Sequence, residues 1–323
     1  MENERLLDVK SLKKHFPVIK GIIFKKQIGQ IKAVDGVTFH INRGETFGLV
    51  GESGCGKTTI AKVILLMERI TSGKVAFNGQ DIDQLSGKDL TNFRSMVKAV
   101  FQDPFSSLSP RMRAWEIIAE PIIANNPKPK KEMKERVAQL LELVGLPAHS
   151  ADLFPHEFSG GQRQRIAVAR SLALDPKLIV LDEPVSALDV SIRAQIMNIL
   201  REIQKRFGLT YLLIAHDLAV VKHMSNRIGV MYLGKLVEVS EAKKLYRQPF
   251  HPYTQALLSA AMPSHPGIQQ DEIILTGEVP SPLNPPSGCR FYPRCFKAME
   301  ICSTEEPQFK DQGENHYVAC HLY

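Results

Sequence analysis

Apolar residues follow two different periods along this chain. From Leu6 to Val50 they come in short runs broken by turns, among them Ala33 to Ile41 and Glu45 to Val50 with Asn42-Arg43-Gly44 between, and such runs predict strands. Across Lys130 to Val144 the spacing changes. Met133, Val137, Leu140, Leu141 and Val144 stand at i, i+4, i+7, i+8 and i+11, with Gly145 after them, which predicts an amphipathic helix and its stop. Leu178 to Leu181 is a short, wholly apolar run ahead of two acids. Ile192, Ile196, Ile199, Leu200, Ile203 and Phe207 then keep helical spacing up to Gly208, and Tyr211 to Ala215 reads as another buried strand. Strand, helix and strand in that order predict an α/β fold with a parallel sheet covered on both faces. Beyond about residue 250, Pro263, Pro266, Pro280, Pro282, Pro285 and Pro286 interrupt every long periodic element, so an irregular appendage is expected there. No segment repeats at a fixed period, which argues against a solenoid or propeller.

A chain of 323 residues with 44% hydrophobic content is long enough for one large or two ordinary domains. No uncharged apolar stretch approaches the roughly 18 to 20 residues of a bilayer span, since Leu209 to Ala215 is short and ends at His216. Met1 to Lys10 holds Glu2, Glu4, Arg5 and Asp8 and lacks the apolar core of a signal peptide. The expectation is a globular protein on the cytoplasmic side. A formal charge of +7 attracts nucleic acid, anionic lipid and phosphate-bearing ligands alike. Its cations lie in scattered groups, Lys10 to Lys26 and Lys128 to Arg136, without the interleaved aromatic platforms that single-stranded nucleic acid needs, so no nucleic acid is expected. Of the five cysteines, Cys55 stands alone while Cys289, Cys295, Cys302 and Cys320 crowd the last 35 residues. In a reducing compartment such crowding points to metal or redox chemistry rather than disulfides.

Gly51-Glu52-Ser53-Gly54-Cys55-Gly56-Lys57-Thr58 is a full match to the phosphate-binding loop pattern, set between an apolar strand and a helical run that begins at Thr59. Its glycines let the backbone turn so that successive N–H groups face phosphates, Lys57 reaches the β/γ oxygens, and Thr58 can coordinate magnesium. Without that setting it is a glycine turn with a surface lysine. Leu178-Ile179-Val180-Leu181-Asp182-Glu183 brings two adjacent carboxylates to the C-terminal edge of a buried strand. Alternation sends them in different directions, so Asp182 can hold a magnesium shell while Glu183 orients and deprotonates water. Read alone, they are two solvated acids at a strand end.

With Phe158-Ser159-Gly160-Gly161-Gln162 between these two motifs, the chain resembles the ABC ATPase family, whose LSGGQ signature is matched with Phe in place of the leading Leu. Gln102 in Val100-Phe101-Gln102-Asp103-Pro104, the segment Ser186-Ala187-Leu188-Asp189, and His216 fall where that family expects them. The resemblance implies that Gln102 touches magnesium and water and reports nucleotide state to membrane subunits. It implies further that Asp189 lies at a dimer contact, that His216 bonds the γ-phosphate, and that Ser159, Gly160, Gly161 and Gln162 form a second phosphate cradle. Phe16, after Leu7 to Leu12, resembles the aromatic that stacks on adenine. Taken structurally, Ser159 to Gly161 cap a helix, His216 ends a strand, Gln102 is a surface amide and Phe16 is core or surface cover.

His251-Pro252-Tyr253-Thr254-Gln255-Ala256-Leu257-Leu258, the proline-rich stretch and the final cysteines are similar to the C-terminal extension of peptide-importer ATPases. Leu7 to Phe16 and Gly44 to Val50 resemble the F-type subunit of oligopeptide/dipeptide permeases. This implies a P-loop NTPase with a RecA-like parallel core, an antiparallel β subdomain and a helical signature subdomain at about 103–175 within a cassette of residues 1–250, then an extension over 251–323. The implied activity is ATP hydrolysis with Mg2+, coupled to peptide import at the cytoplasmic face of the membrane. Thr58, Gln102 and Asp182 would hold the magnesium. The implied partners are a homologous second ATPase subunit facing head to tail, two transmembrane permease subunits and an extracytoplasmic peptide-binding protein. A soluble ABC ATPase acting on nucleic acid or ribosomes shares the nucleotide motifs but usually fuses two cassettes or inserts a long coiled coil, and sustained heptads are missing here. Nickel and glutathione importers use similar ATPases. A regulator that binds ATP without turnover fits less well with Glu183 and His216 both present. The cysteines, spaced C-x5-C-x6-C-x17-C, are implied to hold a four-iron four-sulfur cluster, with zinc the runner-up because structural zinc sites pair cysteines two to four residues apart. Arg290, Arg294 and Lys297 stand where they could offset the charge of such a cluster, and His316 and His321 read as spare ligands at the surface.

Overall fold

A computed structural model describes residues 4–21, 26–103, 108–125, 127–186, 188–261 and 272–323. Pro104, Ala187, Pro263 and Pro266 lie outside the described residues. The chain divides into two compact units. One comprises Asn42–Glu45 and Gln84–Ile214 with Glu4, and the other comprises Arg5–Ile41, Thr46–Asp83 and Ala215–Tyr323.

In the first unit the strands Val97–Val100, Leu178–Asp182 and Thr210–Ile214 pair in parallel in that order, with Val100 opposite Leu181 and Asp182 opposite Ile214. Every residue of the last two strands is buried, as wholly apolar runs covered on both faces require. Tyr211 is no exception, because its Oη donates to the Leu200 carbonyl at 3.0 Å. Helix Lys130–Leu143 buries Val137, Leu140 and Leu141 and ends before Gly145, whose φ of +70° closes the turn. Helix Val190–Phe207 buries Ile196, Met197, Leu200 and Ile203 and ends at Gly208. Its periodic pattern fails at Phe207, which is exposed in the last turn. Helices Gly87–Met96, Ala114–Asn125 and Gly160–Ser171 also belong to this unit, as do single-turn 3-10 helices at Ala148–Asp152 and Pro155–Glu157.

The second unit holds two sheets. In one, strand Arg5–Lys20, longer than the run Leu7 to Leu12 suggests, lies between Lys26–Asn42 and Ser72–Phe77, with Gln80–Asp81 at the far edge. In the other, Thr46–Val50 runs parallel to Arg227–Tyr232, and Lys235–Glu241 returns antiparallel to it. The residues from 251 onward belong to this same unit. Strand Tyr317–Ala319 pairs with Lys235–Glu241 through Glu238 and Val318, and Phe309–Asp311 follows at the edge. Helix Pro252–Ala261 and short turns at Tyr292–Arg294 and Ile301–Thr304 make up the remainder. Between them the buried aromatics Tyr253, Phe291 and Tyr232 pack with ring centroids 4.7 to 5.3 Å apart.

Candidate active site

The phosphate-loop motif lies in the second unit, where strand Thr46–Val50 gives way to helix Lys57–Ile64. Two of its glycines are steric necessities. A Cβ on Gly51 (φ +149°) would meet the Met231 carbonyl oxygen at 2.2 Å, and one on Gly56 (φ +111°) would meet that of Ala33 at 2.2 Å. Gly56 is the N-cap, and the first turn of the helix carries no acid, so its amide dipoles stay available to an anion. Ser53, Gly54 and Thr58 are exposed, and Thr59 is half-buried. Lys57 is only 6% exposed. Its Nζ donates to the carbonyls of Gly51 at 2.7 Å and Glu52 at 2.9 Å, which compensates the burial of the ammonium. Burial pushes the Cys55 thiol up, against the opposing pull of Lys57. His216 is exposed just after Ala215, whose N–H bonds Leu49 at 3.4 Å, and Asp217 caps the following helix through the N–H groups of Ala219 and Val220. Phe16 is half-buried, and Lys14 Nζ lies 4.6 Å from its ring centroid.

The carboxylate motif lies in the first unit. Asp182 is buried at the end of its strand, and Glu183, half-buried, takes a left-handed backbone with φ +49°. A non-glycine residue held there costs about 1–3 kcal/mol, and such strain collects at functional sites. The turn is fixed by the Glu183 N–H bonding Ile214 at 2.9 Å and by its carbonyl accepting from the Ser186 hydroxyl at 3.2 Å. Gln102 is exposed just beyond the adjacent parallel strand Val97–Val100, so Gln102 and both acids share the carboxyl edge of that sheet. The glycine-rich segment Ser159–Gln162 begins a helix through a reciprocal cap. Ser159 Oγ accepts from Gln162 N–H at 3.3 Å, and Gln162 Oε1 accepts from Ser159 N–H at 2.9 Å. Phe158 is buried behind it as the apolar anchor. Gly161 is needed because a Cβ there would stand 2.4 Å from Ile192 Cγ2. Asp189, exposed, is the N-cap of helix Val190–Phe207.

The four C-terminal cysteines are free, with Cys302 buried and the other three half-buried. Cys289 is pushed up to about 11 by burial, with Cys302 and Cys320 adding to the rise and the N–H groups of Phe291 and Tyr292 opposing it. Cys295 and Cys320 are raised mainly by burial too. Cys302 adds to each, while the N–H groups of Lys297 and Leu322 point at their respective sulfurs. Among the described residues no three His, Cys, Asp or Glu side chains are grouped so as to hold a single metal ion.

Of the neighbouring cations, Lys297 does act on a thiol, its charge opposing the rise at Cys295, whereas the two arginines are paired elsewhere. Arg290 pairs with buried Asp35 and donates to the Leu233 carbonyl, Arg294 binds Glu52, and Lys297 Nζ donates to Gln255 at 3.2 Å. Nor is His316 at the surface. It is wholly buried, its Nε2 2.6 Å from the carboxylate of Glu238, which also accepts the N–H groups of Phe250 and His251. His321 is half-buried and bonds the Glu305 carbonyl at 2.9 Å. Two residues of the C-terminal segment, to which the sequence assigns no part at the nucleotide, touch the phosphate loop. Tyr253 Oη accepts from the Glu52 N–H at 2.9 Å, and Arg294 grips the Glu52 carboxylate at 2.8 and 3.1 Å.

Residues 34–186 match the family described as ABC transporter, and residues 237–302 match the one described as oligopeptide/dipeptide transporter, C-terminal region. The chain is 50% identical over 323 residues to the oligopeptide transport ATP-binding protein AppF of Bacillus subtilis, covering 99% of this chain and 98% of that one. It is 46% identical over 319 residues to the dipeptide transport ATP-binding protein DppF of Haemophilus influenzae, covering 99% and 97%. Among solved structures, a dimeric ATP-binding cassette in a post-hydrolysis state with ADP and Pi superposes with a TM-score of 0.64 at 28% identity, covering 73% of this chain and 98% of that one. The α/β fold of this chain is therefore that of an ABC ATPase cassette.

Proposed function

The chain belongs to the ABC transporter family of ATP-binding proteins, and on that premise we propose that it hydrolyses ATP to power an importer of oligopeptides or dipeptides. The observation that carries the reading is the strand–loop–helix of Gly51 to Thr59, in which two positions exclude any side chain and a lysine is buried against loop carbonyls. Peptide as the cargo is supported by the C-terminal family match and by the names of the near-full-length relatives.

In this reading Lys57 exchanges its carbonyl partners for β/γ-phosphate oxygens while the loop N–H groups surround the phosphates. Thr58, Asp182 and Gln102 would hold magnesium, which would supply positive charge to offset that of the phosphates. Glu183 orients and deprotonates the attacking water, and His216 bonds the γ-phosphate. Phe16 is the adenine platform. Ser159, Gly160, Gly161 and Gln162 face the ATP of a homologous second subunit, with Asp189 at that contact, so that hydrolysis opens a dimer that ATP holds shut. Among the described residues no helix is long and apolar enough to cross a membrane. The spanning task is assigned to two permease subunits, with this chain peripheral on their cytoplasmic face and an extracytoplasmic protein delivering the peptide. In the assembled transporter, Glu183→Gln is expected to keep ATP binding while turnover falls about 10²- to 10⁴-fold. Hydrolysis close to the wild-type rate would overturn the assignment.

Cys289, Cys295, Cys302 and Cys320 are assigned to a four-iron four-sulfur cluster with a structural role. What supports this reading is the crowding of four cysteines into the last 35 residues, in an arrangement similar to the extension of peptide-importer ATPases. Burial raises Cys289, Cys295 and Cys320, and the backbone N–H groups that address these three sulfurs oppose that rise.

A further inference from the structure

Glu52 is held at three points. Its N–H donates to Tyr253 Oη at 2.9 Å, its carboxylate takes Arg294 Nη1 at 2.8 and 3.1 Å, and its carbonyl accepts from Lys57 Nζ at 2.9 Å. Two of these partners come from sequence about two hundred residues away, beyond residue 250, and the third is the lysine of the phosphate loop. Neither distant partner has room to leave. The ring of Tyr253, wholly buried, sits 4.7 Å from that of Tyr232 and 5.3 Å from that of Phe291. The Arg294 side chain is 9% exposed and also donates to Tyr232 Oη at 3.4 Å. Among the described residues its buried Nε finds no acceptor. The charged pair with Glu52 compensates the burial of the guanidinium.

We propose that Tyr253 and Arg294 are positioning residues for ATP binding, setting the start of the phosphate loop and the reach of Lys57 through Glu52. The inference rests on the ATP-binding role proposed above for Gly51 to Thr59. The physical path is short. The Glu52 peptide begins the turn whose later N–H groups face phosphate, and its carbonyl is one of the two that hold Lys57 Nζ. Releasing its N–H or its carboxylate gives the loop conformations that must be lost again when nucleotide binds, which weakens binding without touching the chemistry of water attack.

The test is titration of the full-length chain with a fluorescent ATP analogue and Mg2+, alongside steady-state hydrolysis in the assembled transporter. Tyr253→Phe keeps the ring and deletes the acceptor, Arg294→Gln deletes the charge, and Glu52→Gln attacks the same pair from the loop side without disturbing the aromatic cluster. Each is expected to weaken analogue binding about three- to tenfold, the equivalent of one hydrogen bond, and to raise the KM for ATP in parallel, with kcat within about twofold of wild type for Tyr253→Phe and Arg294→Gln, which lie outside the loop. Glu52→Gln combined with Arg294→Gln is expected to bind no worse than either single variant, because both remove one interaction. Folded variants with unchanged affinity and KM, or losses that simply add, would overturn the proposal. Should Tyr253→Phe fail to fold, the Glu52→Gln and Arg294→Gln pair still decides it. Wild-type protein that binds no analogue would instead remove the ATP reading itself, an outcome visible before any variant is made.

Discussion

Lys57 shows what a single residue contributes here. Its ammonium is buried and donates to two loop carbonyls, which compensate its desolvation. Lys57→Ala removes a charge-assisted contact of about 1.5–3 kcal/mol, so ATP affinity is expected to drop about 10- to 100-fold in a titration, and unchanged affinity would place the nucleotide elsewhere. His251 offers a second test at this scale, one of stability. Its Nδ1 accepts the Tyr253 N–H at 3.1 Å and so carries no proton, and complete burial lowers its pKa to about 4 despite Glu238 nearby. The ordinary value is 6.5, so between pH 6.5 and pH 4 the unfolded chain binds a proton that the folded chain refuses. Stability from this residue is therefore intact above pH 6.5 and declines as the pH falls toward 4, by about 3 kcal/mol in all. His40, held down to about 4 by burial and then by Arg227, acts in the same direction. His251→Asn, which can accept the same N–H without titrating, is expected to flatten part of the dependence of thermal midpoint on pH.

Elements are where the sequence was most legible, and the reason is local. The glycines at 51 and 56 stand at backbone angles and approaches that no other residue tolerates, and Leu178 to Leu181 is apolar throughout because both faces of its strand are covered. The cap between Ser159 and Gln162 can likewise be read from spacing three residues apart. What did not show is pairing across distance. Arg290 to Asp35, Arg294 to Glu52 and His316 to Glu238 join residues 78 to 255 positions apart, and nothing in the neighbourhood of any of them signals its partner. That is why the arginines looked like counter-ions for the cysteines and His316 like a surface ligand. Gly161 lies between these cases, since its letter belongs to a motif but its steric reason is Ile192 on another helix. Gly161→Ala is expected to destabilise the protein by about 1–3 kcal/mol through overpacking against helix Val190–Phe207, and Ile192→Ala in the same chain to recover part of it. Thermal denaturation of the two single variants and the double variant measures this, and strictly additive losses would argue against the contact.

At the scale of the whole molecule, the residues after 250 are woven into the unit that carries the phosphate loop rather than hung from it. Strand Tyr317–Ala319 extends its sheet, Arg290 reaches Asp35 with His15 on the other side of the carboxylate, and Glu238 gathers Phe250, His251 and His316. Burial would raise the pKa of Asp35, but the His15 hydrogen bond and the Arg290 and Lys235 charges together hold it below the ordinary carboxylate value. Arg294 stands next to Cys295 in a tight turn, where the Arg294 N–H bonds Phe291 at 2.9 Å and the Cys295 N–H bonds Tyr292 at 3.2 Å. A change at Cys295 that displaces this turn is expected to loosen the hold of Arg294 on Glu52. Anaerobically purified protein is expected to contain iron and sulfide and to absorb broadly in the visible range. Cys295→Ser is expected to lose both the metal and the colour and also to bind ATP about three- to tenfold more weakly, the same change that Arg294→Gln produces. Colourless protein with stoichiometric zinc would refute the cluster while keeping the site, and protein without metal would refute both. If Cys295→Ser loses its iron but binds ATP as tightly as wild type, the cysteines are a staple for the extension alone and the link through Arg294 does not depend on them.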